Sequence, residues 1–261
     1  MKVIIIFVLF RRVIFSCYIN KKNRGDYVNQ ENRLNKGRRI PAYHYAVVFI
    51  LGSIIGTWYE EILHLVNNGY FQSRHGVLYG PFNPLYGAGA VFFLACLYRF
   101  KEWYHVWTYG AILGGFFEYM ASVLQQVFTG SVSWDYTDRI TNIDGRTTVL
   151  YSIFWGFLAL VLVKGLYPLM VKWLDRVPKN YGQLVTRVFM IFLTLNMLLS
   201  YTVLIRQGLR AKGYEPVTPI GQFYDWYYTD EKIQEKFPNM RLQCNVGDGC
   251  EVPVPESKKD R

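Results

Sequence analysis

The sequence predicts an all-α, polytopic transmembrane helical bundle of about five spans with a small non-membrane C-terminal tail. Three observations carry that prediction. Apolar residues arrive in five blocks, at about 43–66, 83–99, 105–128, 147–170 and 184–205, each close to the roughly 20 residues that cross a bilayer core as helix. The few charges inside those blocks fall at helical spacing. Lys and Arg also alternate between dense and sparse connections, as they do on the two sides of a membrane. With 51% hydrophobic residues in a chain of 261, a buried soluble helical core is the rival reading, and five blocks of matched length argue against it.

Taken in order, residues 1–40 form a basic segment with a short apolar anchor. MKVIIIFVLF is cut off by Arg11 and Arg12, which makes it short for a span and places its charge on the wrong side for a secretory signal. Residues 11–39 carry nine Lys and Arg. Pro41 opens the helical domain, 41–205. Its second and fourth connections hold Arg99, Lys101, Lys164, Lys172, Arg176 and Lys179, whereas the first and third hold only Arg74, Arg139 and Arg146. This asymmetry places the N-terminus in the cytoplasm, and the loops 67–82 and 129–146 outside a plasma membrane. Residues 206–261 form a polar, aromatic-bearing tail, expected outside, with QFYDWYY (222–228) suited to docking at the membrane surface. Arg206, Arg210 and Lys212 weigh against that side. Cys17 and Cys96 suit packing, and Cys244 and Cys250 could close a small disulfide loop or stay as thiols. No internal repeat is evident. The formal charge of +10 is explained by topology and anionic lipid, so nucleic acid is not an expected partner.

Charges inside a span are rare because desolvating each costs about 2.5–3.5 kcal/mol or more. On the first span Gly52, Gly56, Glu60 and His64 follow at intervals of four; on the third, Gly114, Glu118, Ser122 and Gln126 do the same. Small residues let a neighbouring helix approach, so each stripe suggests a packed half with a polar half above it. Glu61 reads as a structural residue that snorkels to the headgroups or pairs with an arginine, while Glu118, far from either end of its span, is as suited to function as to pairing. The loops supply Arg74, His75, Trp134, Asp135, Tyr136, Asn142, Gly145 and Arg146. Between them, VLYGPFNPLYG (77–87) either dips inward to shape a cavity mouth or merely caps the next helix through Asn83 and Pro84. There is no GxxxxGK[ST], HExxH or GxSxG. Glu61 and His64 make a single Glu-x-x-His, too little for a di-metal bundle, and no metal or cofactor is expected.

WYE (58–60), RHGVLYGPFNPLYG (74–87), EY (118–119), WDY (134–136), N-x-x-GR (142–146) and FWG (154–156) together resemble the bacterial family described as "Putative ABC-transporter type IV", over about residues 44–178. The resemblance implies a membrane permease. It falls on Glu60, Arg74, Gly76, Tyr79, Gly80, Pro81, Pro84, Tyr86, Gly87, Glu118, Trp134, Asp135, Tyr136, Asn142, Gly145 and Arg146. The family often has a further glutamate where this chain has Gln125 and Gln126.

The expected binding residues are therefore Glu60, Arg74, Tyr79, Glu118, Asp135, Asn142 and Arg146. Transport is the favoured function, with the lipid bilayer and a separate ATP-binding subunit as partners and homo-oligomerisation left open. A membrane enzyme acting on a lipid or envelope precursor, or a structural partner protein, stays as an alternative.

Overall fold

The computed structural model describes residues 40–242; the N-terminal anchor, the basic segment 11–39, Cys17, Cys244 and Cys250 lie outside the described residues. Ala42 to Leu242 falls within one compact unit. Its helices follow the apolar blocks to within a few residues at most ends: α1 (Ala42–Asn68), α2 (Pro84–Leu97), α3 (Trp103–Thr129), α4 (Val149–Leu160) and α5 (Tyr167–Leu174), then α6 (Lys179–Ala211). α4 and α5 form one rod through a π-helical turn, Val161–Leu166. The rod, α1 and α6 are each long and apolar enough to cross a membrane. α3 matches α1 at 27 residues, about 40 Å at 1.5 Å per residue, but carries Glu118, Gln125 and Gln126. α2 has only 14 residues, about 21 Å, and falls short of a full span. The end of the bundle that carries the connections 69–83 and 130–148 is called the loop end below.

α1–α2 and α3–α4 are the same unit twice. On α1 the stripe Gly52, Gly56, Glu60 meets Tyr86, Gly87 and Ala90 of α2; on α3 the stripe Gly110, Gly114, Glu118 meets Trp155, Gly156 and Ala159 of α4. A methyl on Gly52 would stand 3.0 Å from the Ala90 Cβ, and one on Gly110 would stand 2.6 Å from the Ala159 Cβ. One turn along, side chains on Gly56 and Gly114 would overlap the Tyr86 and Trp155 rings. An internal repeat is thus present although none was expected from the sequence. Both copies run in the same sense.

The segment between α1 and α2 descends to the middle of α1 before α2 begins. The Asn83 N–H donates to the Ser53 carbonyl at 3.0 Å, and Ser53 lies about 22 Å below the Asn68 end by helical rise. Backbone with no helical partner is tolerated at such depth only where protein satisfies it. Here α6 does so. The Asn196 side chain accepts from the Tyr79 N–H at 3.3 Å and donates to the Tyr79 carbonyl at 2.6 Å, and the Ser200 hydroxyl accepts from the Leu78 N–H at 2.9 Å. Val77 and Phe82 pack with Leu193 between α1 and α6. Asn83 caps α2 by accepting from the Leu85 N–H at 3.2 Å, so the segment both dips and caps.

The π-helical turn precedes Pro168, whose ring would clash with the carbonyl four residues back in a regular helix. Lys164 in that turn donates to the Phe100 and Lys101 carbonyls at 2.6 and 2.7 Å, tying the rod to the end of α2. Three small features complete the loop end: the pair β1 (Ser131–Val132) with β4 (Arg241–Leu242), the hairpin β2 (Asn142–Ile143) with β3 (Thr147–Thr148), and the helices α7 (Pro219–Tyr227) and α8 (Asp230–Lys236). Tyr228, Ile233, Phe237 and Met240 share a cluster with Leu78, Val203 and Leu204. The tail therefore packs on the dipping segment and on α6. Arg206 and Arg210 bond Asp225 at 2.6–2.9 Å, and Arg210 also bonds Asp230 at 2.6 Å. The Arg206 bond leads the effects that hold the Asp225 carboxyl below its usual range.

Gly56→Leu and Gly114→Leu should each lower stability by more than the 1–3 kcal/mol typical of overpacking, because an aromatic ring fills the space. Thermal unfolding of detergent-solubilised protein checks this, with Gly165→Leu, where nothing stands within 4 Å of an added Cβ, as the mild comparison.

Candidate functional site

Each repeat brings one carboxylate to an aromatic from its partner helix. Gly56 makes room for Tyr86, whose hydroxyl donates to Glu60 Oε1 at 2.7 Å. Gly114 makes room for Trp155, whose side chain bonds Glu118. The Tyr86 and Trp155 rings lie 5.8 Å apart, so the two units meet at this pair. Glu118 is buried and also accepts from Thr147 Oγ1 at 2.7 Å and Tyr136 OH at 3.2 Å. Tyr136 stacks on Tyr151 at 4.6 Å. Burial, followed by the Glu118 charge, raises the Tyr136 phenol above its ordinary value, so it stays a donor. Arg74, Glu118 and Glu61 are the charges within electrostatic reach of Glu60. Neither Glu60 nor Glu118 forms an ion pair among the described residues.

Arg146 stands further along the Glu118 stripe towards the loop end. It donates to Ser122 Oγ at 3.0 Å and to Gln126 Oε1, and its Nε lies 3.7 Å from Asp144. Gln126 thus serves as an acceptor for arginine. Its neighbour Gln125 donates to Ser133 Oγ at 2.8 Å. Trp134 Nε1 donates to the Arg146 carbonyl at 2.8 Å, fixing the loop over α3. Arg74 is half-buried, and its guanidinium has no hydrogen bond or ion pair among the described residues; its backbone N–H donates to Glu61 at 3.4 Å.

The remaining expected residues stand apart from the carboxylates. The Tyr79 hydroxyl lies 3.0 Å from that of Tyr228 in the tail. Asp135 is exposed and accepts from the Thr137 N–H at 2.9 Å. That turn's hydroxyl and backbone bonds lead the effects holding its carboxyl below the usual range. Asn142 donates to the Thr137 and Arg139 carbonyls and accepts from the Gly145 N–H at 3.0 Å. Asp135 and Asn142 build the loop that presents Tyr136, Arg146 and Thr147. Glu61 is buried and sits 3.3 Å from His75 Nε2. His64 bonds the Tyr70 carbonyl at 3.2 Å instead of joining Glu61.

The carboxylates are packed among aromatics. A groove of about 260 Å³ opens on a neighbouring face of α1, lined by Trp58, Glu61, Ile62, Leu65 and Phe71, so Glu61 borders it. Sequence reasoning passed over Tyr86 as a partner for Glu60, Thr147, and the clasp of Asn196 and Ser200. The last two were visible as polar residues four apart in an apolar block.

The model of the family described as "Putative ABC-transporter type IV" matches residues 47–201, and the chain belongs to that family. The match runs from α1 into α6, further than the stretch 44–178 that carries the motifs, and it includes Asn196 and Ser200. No curated relative and no solved structure matches the chain.

Burial lowers the His75 pKa below its ordinary 6.5, against the opposing pull of Glu61 and with a smaller push from Lys236. The folded state therefore binds this proton less readily than the unfolded chain, so stability is lost as pH falls through 6.5. The hydrogen-exchange protection factors of residues 69–83, after correction for the intrinsic pH dependence of exchange, should fall below pH 6.5 more in wild type than in His75→Gln.

Proposed function

We propose that this family member is a permease-like transport component whose polar site lies between the two helix-pair repeats, with nucleotide hydrolysis supplied by a separate ATP-binding subunit. The observation that supports the reading is that Glu60 and Glu118, on different helix pairs, are linked through the Tyr86–Trp155 contact, with Glu118 in electrostatic reach of Glu60. Each carboxylate is held against an aromatic side chain where the two units meet, and neither has an ion pair among the described residues. Parallel-repeat transporters hold substrate and coupling ions at this kind of interface near mid-membrane. In this reading Glu60 and Glu118 bind the solute or its coupling cation. Tyr86, Tyr136 and Thr147 orient their oxygens, and Arg74 and Arg146 flank the entrance. Tyr79, Asp135 and Asn142 hold the surrounding loops.

Glu118 is buried and Glu60 partly buried, so access to both requires the α1–α2 unit to move against α3–α4. The Tyr86–Trp155 contact and the dipping segment are where such motion would open the way to them. Orientation follows from the distribution of Lys and Arg: N-terminus cytoplasmic, loop end outside, in the plasma membrane. Arg206 and Arg210, which weighed against an external tail, are engaged by Asp225 and Asp230.

One observation favours a second reading. The Arg74 guanidinium, half-buried without a hydrogen-bonded partner among the described residues, would suit the phosphate of a lipid or envelope precursor handled by a membrane enzyme.

Protein isolated from its native membrane should bring a P-loop ATPase with it, and the complex should accumulate solute in vesicles. Glu60→Gln and Glu118→Gln should each cut that uptake about tenfold or more, the effect of losing ~1.4 kcal/mol of binding, at unchanged expression. Absence of an ATPase and of uptake would defeat the reading, and a changed lipid profile in a deletion strain would favour the enzyme.

A further inference from the structure

We propose that α7 is an interfacial membrane anchor, its aromatic face seated in the leaflet at the loop end beside α6. One face of α7 is committed to the protein. Asp225 bonds both Arg206 and Arg210, Tyr224 OH lies 3.0 Å from Thr202 Oγ1, and Tyr228, just beyond the helix, packs with Val203 and Leu204. The opposite face carries Ile220, Phe223, Trp226 and Tyr227, exposed by 65%, 48%, 74% and 42%. Those positions recur at three- and four-residue spacing, which puts them together on one helical stripe.

What covers that stripe follows from where α7 is fastened. Thr202, Arg206 and Arg210 follow one another at four-residue intervals on α6. The adjoining stripe of α6, formed by Leu198, Tyr201, Ile205 and Leu209, is itself exposed and apolar, the face a spanning helix turns to lipid. The aromatic face of α7 therefore continues the lipid-facing surface of α6 at the level where its apolar block (184–205) gives way to Arg206 and Gln207. Tryptophan and tyrosine are favoured at this level because their rings suit the acyl boundary while their polar edges reach water. Lys232 Nζ lies over the Tyr227 ring at 4.7 Å and donates to the Tyr227 carbonyl at 3.0 Å, placing a cation at the headgroup edge of the same patch. A short helix with a charged side held by the protein and an aromatic side open to the boundary matches the chemistry of interfacial anchors.

The test reconstitutes the full chain in phosphatidylcholine vesicles whose acyl chains carry bromine at shallow or deep positions. The emission of Trp226 is taken as the difference between wild type and Trp226→Phe, with iodide on both sides of the membrane as the aqueous quencher. The expected result is loss of that difference emission to shallow bromine, weaker loss to deep bromine, and protection from iodide. Quenching by iodide without quenching by bromine would overturn the proposal, since the face would then lie in water. Protection from both would also overturn it, since another protein surface would then cover α7. Phe223→Asp serves as the second variant and should reduce quenching of Trp226 by shallow bromine while leaving the other tryptophans unchanged.

Discussion

The structure depends on one requirement: backbone that leaves helical geometry at membrane depth must find its hydrogen bonds within the protein. The segment from Gly76 to Asn83 meets it through Asn196, Ser200 and the Ser53 carbonyl. An unmet donor or acceptor there would cost about 1–3 kcal/mol each, so the α6 clasp decides whether the segment can sit where it does. Because it does, α2 can begin halfway down α1, and Tyr86 arrives in the first turn of α2 at the height of Gly56. The bond from Tyr86 to Glu60 then follows from the length of a short helix and the absence of a side chain on Gly56. The same segment also gives the tail a surface, since Leu78 joins the cluster built by Tyr228, Ile233, Phe237 and Met240.

The second copy of the unit reaches a similar end by another route. α4 follows the hairpin of β2 and β3, and Thr148 caps it by accepting from the Tyr151 N–H at 3.0 Å. Trp155 over Gly114 takes the place that Tyr86 holds over Gly56. The difference in aromatic matters for Glu118, which draws two further donors, Tyr136 and Thr147, from the loop and hairpin. Glu60 receives the Tyr86 hydroxyl and feels Arg74 only at a distance. Two equivalent positions thus carry carboxylates in unequal surroundings.

Much of this was legible in the sequence, and the remainder was hidden for identifiable reasons. The five apolar blocks gave the helices because burial in lipid leaves few alternatives for a run of that length. Spacing of four gave the Glu60 and Glu118 stripes, whereas Glu61 sits against His75, a neighbour that its reading as a snorkelling or arginine-paired residue did not name. The repeat escaped notice because its halves are offset unequally: Gly52 to Gly110 is 58 positions, while Tyr86 to Trp155 is 69. No single shift aligns both. Asn196 and Ser200 carried a signal, but their partner was a backbone segment more than 100 positions away, which spacing cannot reveal. The folded tail escaped for a similar reason. Arg206 and Arg210 read as topology signals until Asp225 and Asp230 were placed beside them.

Central to the account is the claim that Glu60 and Glu118 sense each other's charge across the contact between the units. A double-mutant cycle of Glu60→Gln and Glu118→Gln, read by unfolding of the purified protein at neutral pH, measures this directly. Sites linked in this way should show a coupling energy clearly above the ~0.5 kcal/mol within which distant sites add. Simple additivity of the two substitutions would contradict that link and leave two unrelated carboxylates.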